Sequence, residues 1–122
     1  MSSANVDLVK GLYAALAAHD LTAFWAALAP DVVITQSSAI PWGGTYHGHD
    51  GARAFFARLA ESVIPEPAIS QFVDAGERVI AVGRTQGTVR ANGARYDVPI
   101  VHVWQIEQGR ISGILFLSLI HI

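Results

Sequence analysis

The side chain with the clearest chemical potential is His102, the one polar break in the apolar run from Val98 to Trp104. If this run is a strand, alternation places Val98, Ile100 and Trp104 on the same side as His102, with Tyr96 at the mouth. An imidazole in such surroundings can donate a hydrogen bond to a ligand or to a developing oxyanion. Two interpretations stay open: His102 contacts a ligand, or it is a neutral histidine that a neighbouring group satisfies.

Two further polar groups are predicted on the same face. Gln36 follows Ile34 on the first predicted strand, and Ser118 follows Ile114 and Phe116 on the last one. A carboxamide cannot take up a proton at neutral pH, so Gln36 can orient a ligand carbonyl or pair with the histidine but cannot act as a base. The composition of this face predicts a mostly apolar cavity for a hydrophobic small molecule that carries a carbonyl or hydroxyl group.

The glycine-rich stretch SSAIPWGGTYHGHDG is predicted to be a loop and carries two further candidates. Trp42 either covers the mouth of the predicted pocket or pins the loop onto the following helix. His47 and His49 form a His-x-His pair, which on a strand could bind a metal, but no third ligand of suitable spacing follows. We therefore expect these histidines to lie in a solvated loop and expect no metal.

Three helices and a set of strands must position these residues. Apolar side chains at helical spacing predict helices from Asn5 to about His19, from an Asp20 cap to Pro30, and from Ala52 to a stop at Pro65 and Pro67. Strands are predicted for residues 32–36, Ile69–Ala75, Arg78–Arg90, Arg95–Ile106 and Arg110–Ile120. The turns DAGE, ANGA and EQG join the last four strands into an antiparallel meander. This order indicates one α+β domain, residues 1–122, with helices packed on one face of a strongly curved antiparallel sheet.

The composition narrows the classes of partner. Only 15% of the residues are charged and the mean hydropathy is positive, so we expect apolar surface for a second copy, a homodimer. The net charge is −2 and the eight basic residues are scattered, which argues against nucleic acid. With no cysteine, disulfides and thiolate nucleophiles are excluded. No signal peptide or membrane-length apolar run is evident, so we expect a cytoplasmic protein with no membrane partner.

Three segments together resemble a known family: YAALAAHDLTAFWAALAPDVV, GTYHGHDGARAFF and VPIVHVWQIEQGRI, in this order and spacing. They are similar to the SnoaL-like family of the nuclear transport factor 2-like superfamily over nearly the whole chain. The resemblance implies a cone-shaped α+β barrel, a deep apolar pocket between sheet and helices, and commonly a dimer. Members include polyketide cyclases, ketosteroid isomerases, limonene-type epoxide hydrolases and proteins with no demonstrated activity, so the fold alone does not assign a function.

The resemblance also assigns positions. His102 matches the acid that donates to the oxyanion in ketosteroid isomerases, and Gln36 stands where their carboxylate base would be. Their helix-one tyrosine matches Leu12 or, after a shift of one residue, Tyr13. The positions that carry epoxide hydrolase chemistry hold Gly83, Thr85 and Phe116. None of these three can activate a water, and the last strand lacks the acid of the polyketide cyclases.

Two functions of different class follow. The first is a cofactor-independent isomerase or cyclase that acts on a hydrophobic carbonyl compound, with His102 as acid or base and Gln36 polarising the carbonyl; lyase or hydrolase activity is less favoured. The second is a binding or scaffold protein for an apolar metabolite, favoured by the absence of the pocket carboxylates. Neither needs a cofactor. The predicted substrate contacts are Tyr13, Trp42, Val98, Ile100, Trp104, Ile114, Phe116 and Ser118.

Overall fold

The computed structural model describes residues 4–37, 40 and 42–118. These residues form three helices and six strands. In chain order the elements are α1 (Ala4–Ala17), α2 (Leu21–Ala27), β1 (Leu28–Gln36), β2 (Gly44–His47), α3 (Gly48–Ser62), β3 (Val63–Ala75), β4 (Arg78–Val89), β5 (Arg95–Glu107) and β6 (Arg110–Ser118).

All described strands belong to one sheet in the order β2-β1-β6-β5-β4-β3. Strands β3 to β6 pair with their neighbours in the chain and are antiparallel, as the predicted meander requires. Strand β1 instead runs parallel to β6, so the sheet is mixed. It is strongly curved but not closed, and with the helices it forms the cone-shaped α+β fold that the family resemblance implies.

The three predicted hairpin turns are present, and each has a glycine in a left-handed conformation. Gly76, Gly93 and Gly109 have φ values of 77°, 72° and 76°. Residues with a Cβ rarely adopt this conformation, whereas glycine does so without steric cost. Local sequence is therefore enough to place these turns.

The second helix ends earlier than predicted. The Asp20 side chain caps it by accepting a hydrogen bond from the Ala23 amide at 3.3 Å, which confirms the predicted start. Its last residue is Ala27, because Leu28 is already extended and begins β1. Pro30 therefore lies inside a strand and does not stop the helix.

The third helix and the strand after it both start earlier than predicted. Helix α3 starts at Gly48 and stops at Ser62, before either proline. Strand β3 starts at Val63, so Pro65 and Pro67 are strand residues. They lie in a strand at the edge of the sheet, where a missing amide donor is tolerated.

The loop predicted before α3 contains a strand. Residues Gly44–His47 form β2, which pairs antiparallel with β1 and places Tyr46 opposite Ile34. Its glycines and lack of a repeated apolar pattern hide this strand from sequence analysis. At the other end, β6 is described to Ser118, and the predicted continuation to Ile120 lies outside the described residues.

The core lies between the helices and one face of the sheet. Its largest fully buried side chains are Trp104, Phe24, Phe55, Ile34, Ile111, Val9, Val32 and Val79. Burying a large apolar side chain contributes roughly 1.5 to 3 kcal/mol, so this set fixes the helices against the sheet. In the part of the chain that the structure describes, no helix is long and apolar enough to cross a membrane.

Candidate functional site

A row of side chains crosses the inward face of the sheet. Gln36 on β1 is paired with Phe116 on β6, which is paired with His102 on β5. The same row continues through Ala81 on β4 to Phe72 on β3. Pairing across strands therefore puts the two polar candidates on either side of one aromatic ring.

The row beneath it is fully apolar and forms a floor. Ile34, Ile114 and Trp104 are paired across β1, β6 and β5, and Val79 on β4 follows them. All four are buried. Trp104 and Ile114, predicted as substrate contacts, therefore support the row above.

The hydroxyl of Tyr13 on α1 reaches His102 on β5. The Tyr13 Oη atom lies 2.6 Å from His102 Nδ1. The indole Nε1 of Trp104 donates a hydrogen bond to the same Oη at 3.0 Å. Leu12, the alternative match to the helix-one tyrosine, is buried in the core at 4% exposure. A chain of hydrogen bonds thus links the buried indole to the histidine through Tyr13.

Burial changes the acidity of both groups. Desolvation lowers the pKa of His102 to about 4, because a charged imidazolium is disfavoured among apolar side chains. Desolvation raises the pKa of Tyr13, and the hydrogen bond from Trp104 only partly opposes this effect. At neutral pH His102 is an uncharged imidazole and Tyr13 keeps its proton, so both act through hydrogen bonds.

Aromatic rings surround the histidine. The rings of His102 and Phe116 meet edge to face at 4.7 Å between centroids, and Phe55 of α3 stacks on Phe116 at 5.3 Å. Phe72 packs against Tyr13 at 5.9 Å, and the Lys10 ammonium lies 5.4 Å from the centre of the Phe72 ring. These surroundings account for the desolvation of His102.

A second chain of hydrogen bonds ends at Gln36. Trp42 Nε1 donates to Gln36 Oε1 at 3.0 Å, and Tyr46 Oη donates to the Trp42 carbonyl at 3.0 Å. Arg58 on α3 donates to Tyr46 Oη at 2.7 Å. Gln36 and His102 thus have different partners and are not bonded to each other. Trp42 is tied to both the sheet and, through Tyr46, to α3.

The remaining predicted site residues lie further from this centre. Ile100 is buried and Val98 is half-buried, and they follow His102 on the same face toward the start of β5. The backbone of Ser118 pairs with that of Ile100, but its side chain lies outside the described part of the chain. Its predicted contact is therefore left as a prediction.

The His-x-His pair does not form a joint site. His47 is exposed at the end of β2, whereas His49 belongs to α3, where its Nε2 lies 3.1 Å from the Leu28 carbonyl oxygen. The expected loop is thus a strand end and a helix start. Among the described residues, no group of three or more metal-ligating side chains comes together.

Sequence analysis did not identify Tyr46, Arg58 and Phe72 as parts of this site. Tyr46 falls in the predicted loop, and Arg58 is an ordinary exposed residue of α3. Phe72 lies in a predicted strand, but only its pairing with Ala81 shows that it continues the His102 row. Their positions depend on long-range pairing, for which the sequence carries no local signal.

Two open cavities lie away from His102. One of about 570 Å³ is lined mainly by the opposite face of the sheet, including Val33, Val103 and Leu115. The other, of about 500 Å³, is polar and lies at the β5–β6 turn, beside Asp31 and Arg110. On the inward face, His102 and Gln36 are half-buried.

Comparison with known proteins agrees with the fold. The family model described as the SnoaL-like domain matches residues 9–114. An NTF2-like protein of unknown function from Burkholderia pseudomallei has a TM-score of 0.88 at 34% identity, over 97% of this chain and 92% of that chain. An NTF2-like protein from Burkholderia thailandensis has a TM-score of 0.84 at 33% identity, over 92% and 88% of the two chains.

A more distant structure shows the fold alone. TerC, co-crystallised with polyporic acid, has a TM-score of 0.86 at 23% identity, over 95% of this chain and 92% of that chain. No protein with a curated description matches the chain. The chain thus shares its fold and family with a protein of unknown function, and the fold alone assigns no activity.

Proposed function

The chain belongs to the SnoaL-like domain family of the nuclear transport factor 2-like superfamily, and on that premise we propose that it binds a hydrophobic carbonyl compound on the inward face of its sheet. We propose further that it acts on this compound as a cofactor-independent isomerase or cyclase. His102 would donate a hydrogen bond to the carbonyl oxygen, and Gln36 would orient the substrate.

One observation carries this proposal: the 2.6 Å contact between Tyr13 Oη and His102 Nδ1 within an aromatic cluster. A hydrogen-bonded imidazole in apolar surroundings is a fixed donor, and such donors stabilise the negative charge that develops on an enolate oxygen. Because the pKa of His102 is lowered to about 4, the donor is neutral at pH 7. The chemistry that it favours is enolisation, the step common to isomerisation and cyclisation of carbonyl compounds.

Every aspartate and glutamate among the described residues is exposed, so the site offers no carboxylate to remove a proton. None of the buried residues in the described part of the chain is polar or charged. The proton on carbon would then leave to water, while His102 stabilises the oxygen of the enolate. This favours substrates whose α-proton is unusually acidic, such as 1,3-dicarbonyl compounds.

Turnover by a His102→Ala variant tests the assignment. Apolar carbonyl compounds that raise the melting temperature of the protein would be incubated with it, and the products followed by NMR. We expect His102→Ala to fold but to lose turnover, whereas the control His47→Ala, at an exposed histidine, keeps it. Turnover retained in His102→Ala would contradict the role of His102.

The lack of a carboxylate base among the described residues of the site favours a second candidate, a non-catalytic binding or scaffold protein for an apolar metabolite. The same aromatic cluster and donor would then hold the ligand without changing it. Recovery of every bound compound unchanged, with binding weakened by His102→Ala, would support this candidate and contradict the enzyme.

We also propose that the protein is a homodimer. In support, Leu115 and Leu117 on β6 are 36% and 38% exposed on the face of the sheet away from His102, beside Val33 and Val103. A second copy would cover this apolar face. Native mass spectrometry should give a dimer for the wild type and a monomer for Leu117→Lys; a wild-type monomer would contradict the proposal.

A further inference from the structure

Gln36 and His102, two polar side chains of the inward face, each stand at the end of a chain of hydrogen bonds. From the direction of these chains we infer that the ligand carries two hydrogen-bond acceptors, such as carbonyl or carboxylate oxygens, at opposite ends of a flat apolar body. This inference rests on the proposed function and narrows the class of its ligand.

The first chain fixes which nitrogen of His102 carries the proton. The indole of Trp104 can only donate, and it donates to Tyr13 Oη at 3.0 Å. If His102 Nδ1 also donated to Tyr13, the single hydroxyl proton of Tyr13 would have no acceptor among the described residues. Every group is satisfied when Tyr13 donates to an unprotonated Nδ1 across the 2.6 Å contact. The proton of neutral His102 is therefore on Nε2.

This tautomer presents a donor to the site. In an imidazole the Nε2–H bond points at a wide angle from the Nδ1 lone pair, so it is directed away from Tyr13. No acceptor for the Nε2–H group of His102 is found in the described ranges. Since a half-buried donor is normally paired, its partner is a ligand or water.

The second chain fixes the orientation of the Gln36 carboxamide. The indole of Trp42 can only donate, so the atom that faces it at 3.0 Å must be the carboxamide oxygen. Trp42 itself is held by the Tyr46 hydroxyl on its carbonyl oxygen, and Arg58 donates to that hydroxyl. The NH₂ group of Gln36, a donor, has no acceptor in the part of the chain that the structure describes and is left for the ligand.

The two donors flank one aromatic ring. Gln36 and His102 are each paired with Phe116, so their Cα atoms are separated by two strand spacings, roughly 10 Å. The stacked rings of Phe116 and Phe55 lie along this row and favour a flat apolar body. A ligand with acceptors at both ends satisfies both donors, whereas an ammonium group at either end would oppose a donor.

Three naphthalenes of similar shape test the number of acceptors: 2,6-diacetylnaphthalene, 2-acetylnaphthalene and 2,6-diethylnaphthalene. We expect the wild type to bind the diacetyl compound at least about tenfold more tightly than the monoacetyl compound, with the diethyl compound weakest, by titration calorimetry. Equal affinity for the diacetyl and monoacetyl compounds would overturn the inference but leave the proposed function standing. Failure of all three, and of a wider set of carbonyl compounds, would overturn both.

Two substitutions test whether Gln36 is the second donor. Trp42→Phe frees the Gln36 carboxamide to turn, and it should reduce the preference for the diacetyl compound to about twofold or less. The control Trp25→Phe removes an indole that has no hydrogen bond among the described residues, and the preference should stay. An unchanged preference in Trp42→Phe would exclude Gln36 as the second donor.

The tautomer is measured directly in the ligand-free protein. Nitrogen-15 NMR of the His102 ring at pH 7 should show a protonated Nε2 and an unprotonated Nδ1. Tyr13→Phe should give a mixture of tautomers, whereas Tyr96→Phe, which removes a hydroxyl elsewhere, should not. A wild-type ring protonated at Nδ1 would overturn the inference whether or not a ligand is found.

Discussion

The two chains of hydrogen bonds end in similar donors but differ in what holds them. The chain from Trp104 through Tyr13 to His102 connects two residues of β5 through the Tyr13 hydroxyl on α1. Its Trp104 side chain is fully buried. The chain from Arg58 through Tyr46 and Trp42 to Gln36 consists of one exposed and three half-buried residues, which we call the rim. Breaking a buried polar link leaves groups that water cannot satisfy, so equal numbers of hydrogen bonds carry different energetic weight.

The largest difference is expected between the two tryptophans. Trp104→Ala empties a site with 0% exposure and should lower the free energy of unfolding by about 3 to 5 kcal/mol. Trp42→Ala removes a half-buried side chain at the rim and should cost about 1 kcal/mol. Urea unfolding of both variants measures the two losses. Equal losses would show that Trp42 is part of the core.

Acid is expected to destabilise the buried chain through His102. Its pKa is about 4 in the folded protein and 6.5 for the free side chain, so between these values the unfolded chain binds the extra proton. The contribution of neutral His102 to the free energy of unfolding is present in full above pH 6.5 and is lost as the pH falls through 4. The loss is about 3 kcal/mol at most. His102→Gln cannot titrate and should lose this component of the pH dependence; an identical profile would contradict it.

Removal of the Tyr13 hydroxyl is expected to have an intermediate effect. Tyr13→Phe leaves Trp104 Nε1 without its acceptor and His102 Nδ1 without its donor, at a cost of about 1 to 3 kcal/mol. Thermal and urea unfolding measure the loss. A variant as stable as the wild type would mean that water replaces the hydroxyl. Water would then reach the Tyr13 hydrogen bonds as easily as those of Tyr46.

The smallest effect is expected at Tyr46. Tyr46→Phe frees the Trp42 carbonyl and should cost about 0.5 to 1.5 kcal/mol, because water can replace the hydroxyl at the rim. The more specific readout is acrylamide quenching of Trp42 fluorescence in a background with Trp25 replaced by Phe. Quenching should increase, and unchanged quenching would show that Tyr46 does not hold Trp42.

Local sequence was sufficient for the elements whose chemistry is local. The Asp20 cap and the glycine turns were predictable because their hydrogen bonds and φ angles involve residues close in the chain. It was insufficient for β2 and for the parallel pairing of β1 with β6. Those contacts join distant segments whose own patterns do not specify a partner.

The candidate site likewise has features that local sequence predicts and one that depends on tertiary packing. Strand alternation correctly grouped His102 with Trp104, and Gln36 with Ile34, since period 2 is a property of any strand. The match to the helix-one tyrosine was left open between Leu12 and Tyr13, because the two alignments differ by one residue. In the structure the Tyr13 hydroxyl lies at His102, whereas Leu12 is buried in the core.

The sequence by itself determined the order of the three helices and of five of the six described strands, the family resemblance and the apolar character of the inward face, because spacing and turn chemistry act over a few residues. Only the tertiary structure decided what His102 and Gln36 can do. Tyr13 is 89 positions from His102 in the chain, and its hydroxyl comes within 2.6 Å only once α1 packs on the sheet. That contact, and the desolvation around it, makes the histidine a neutral hydrogen-bond donor.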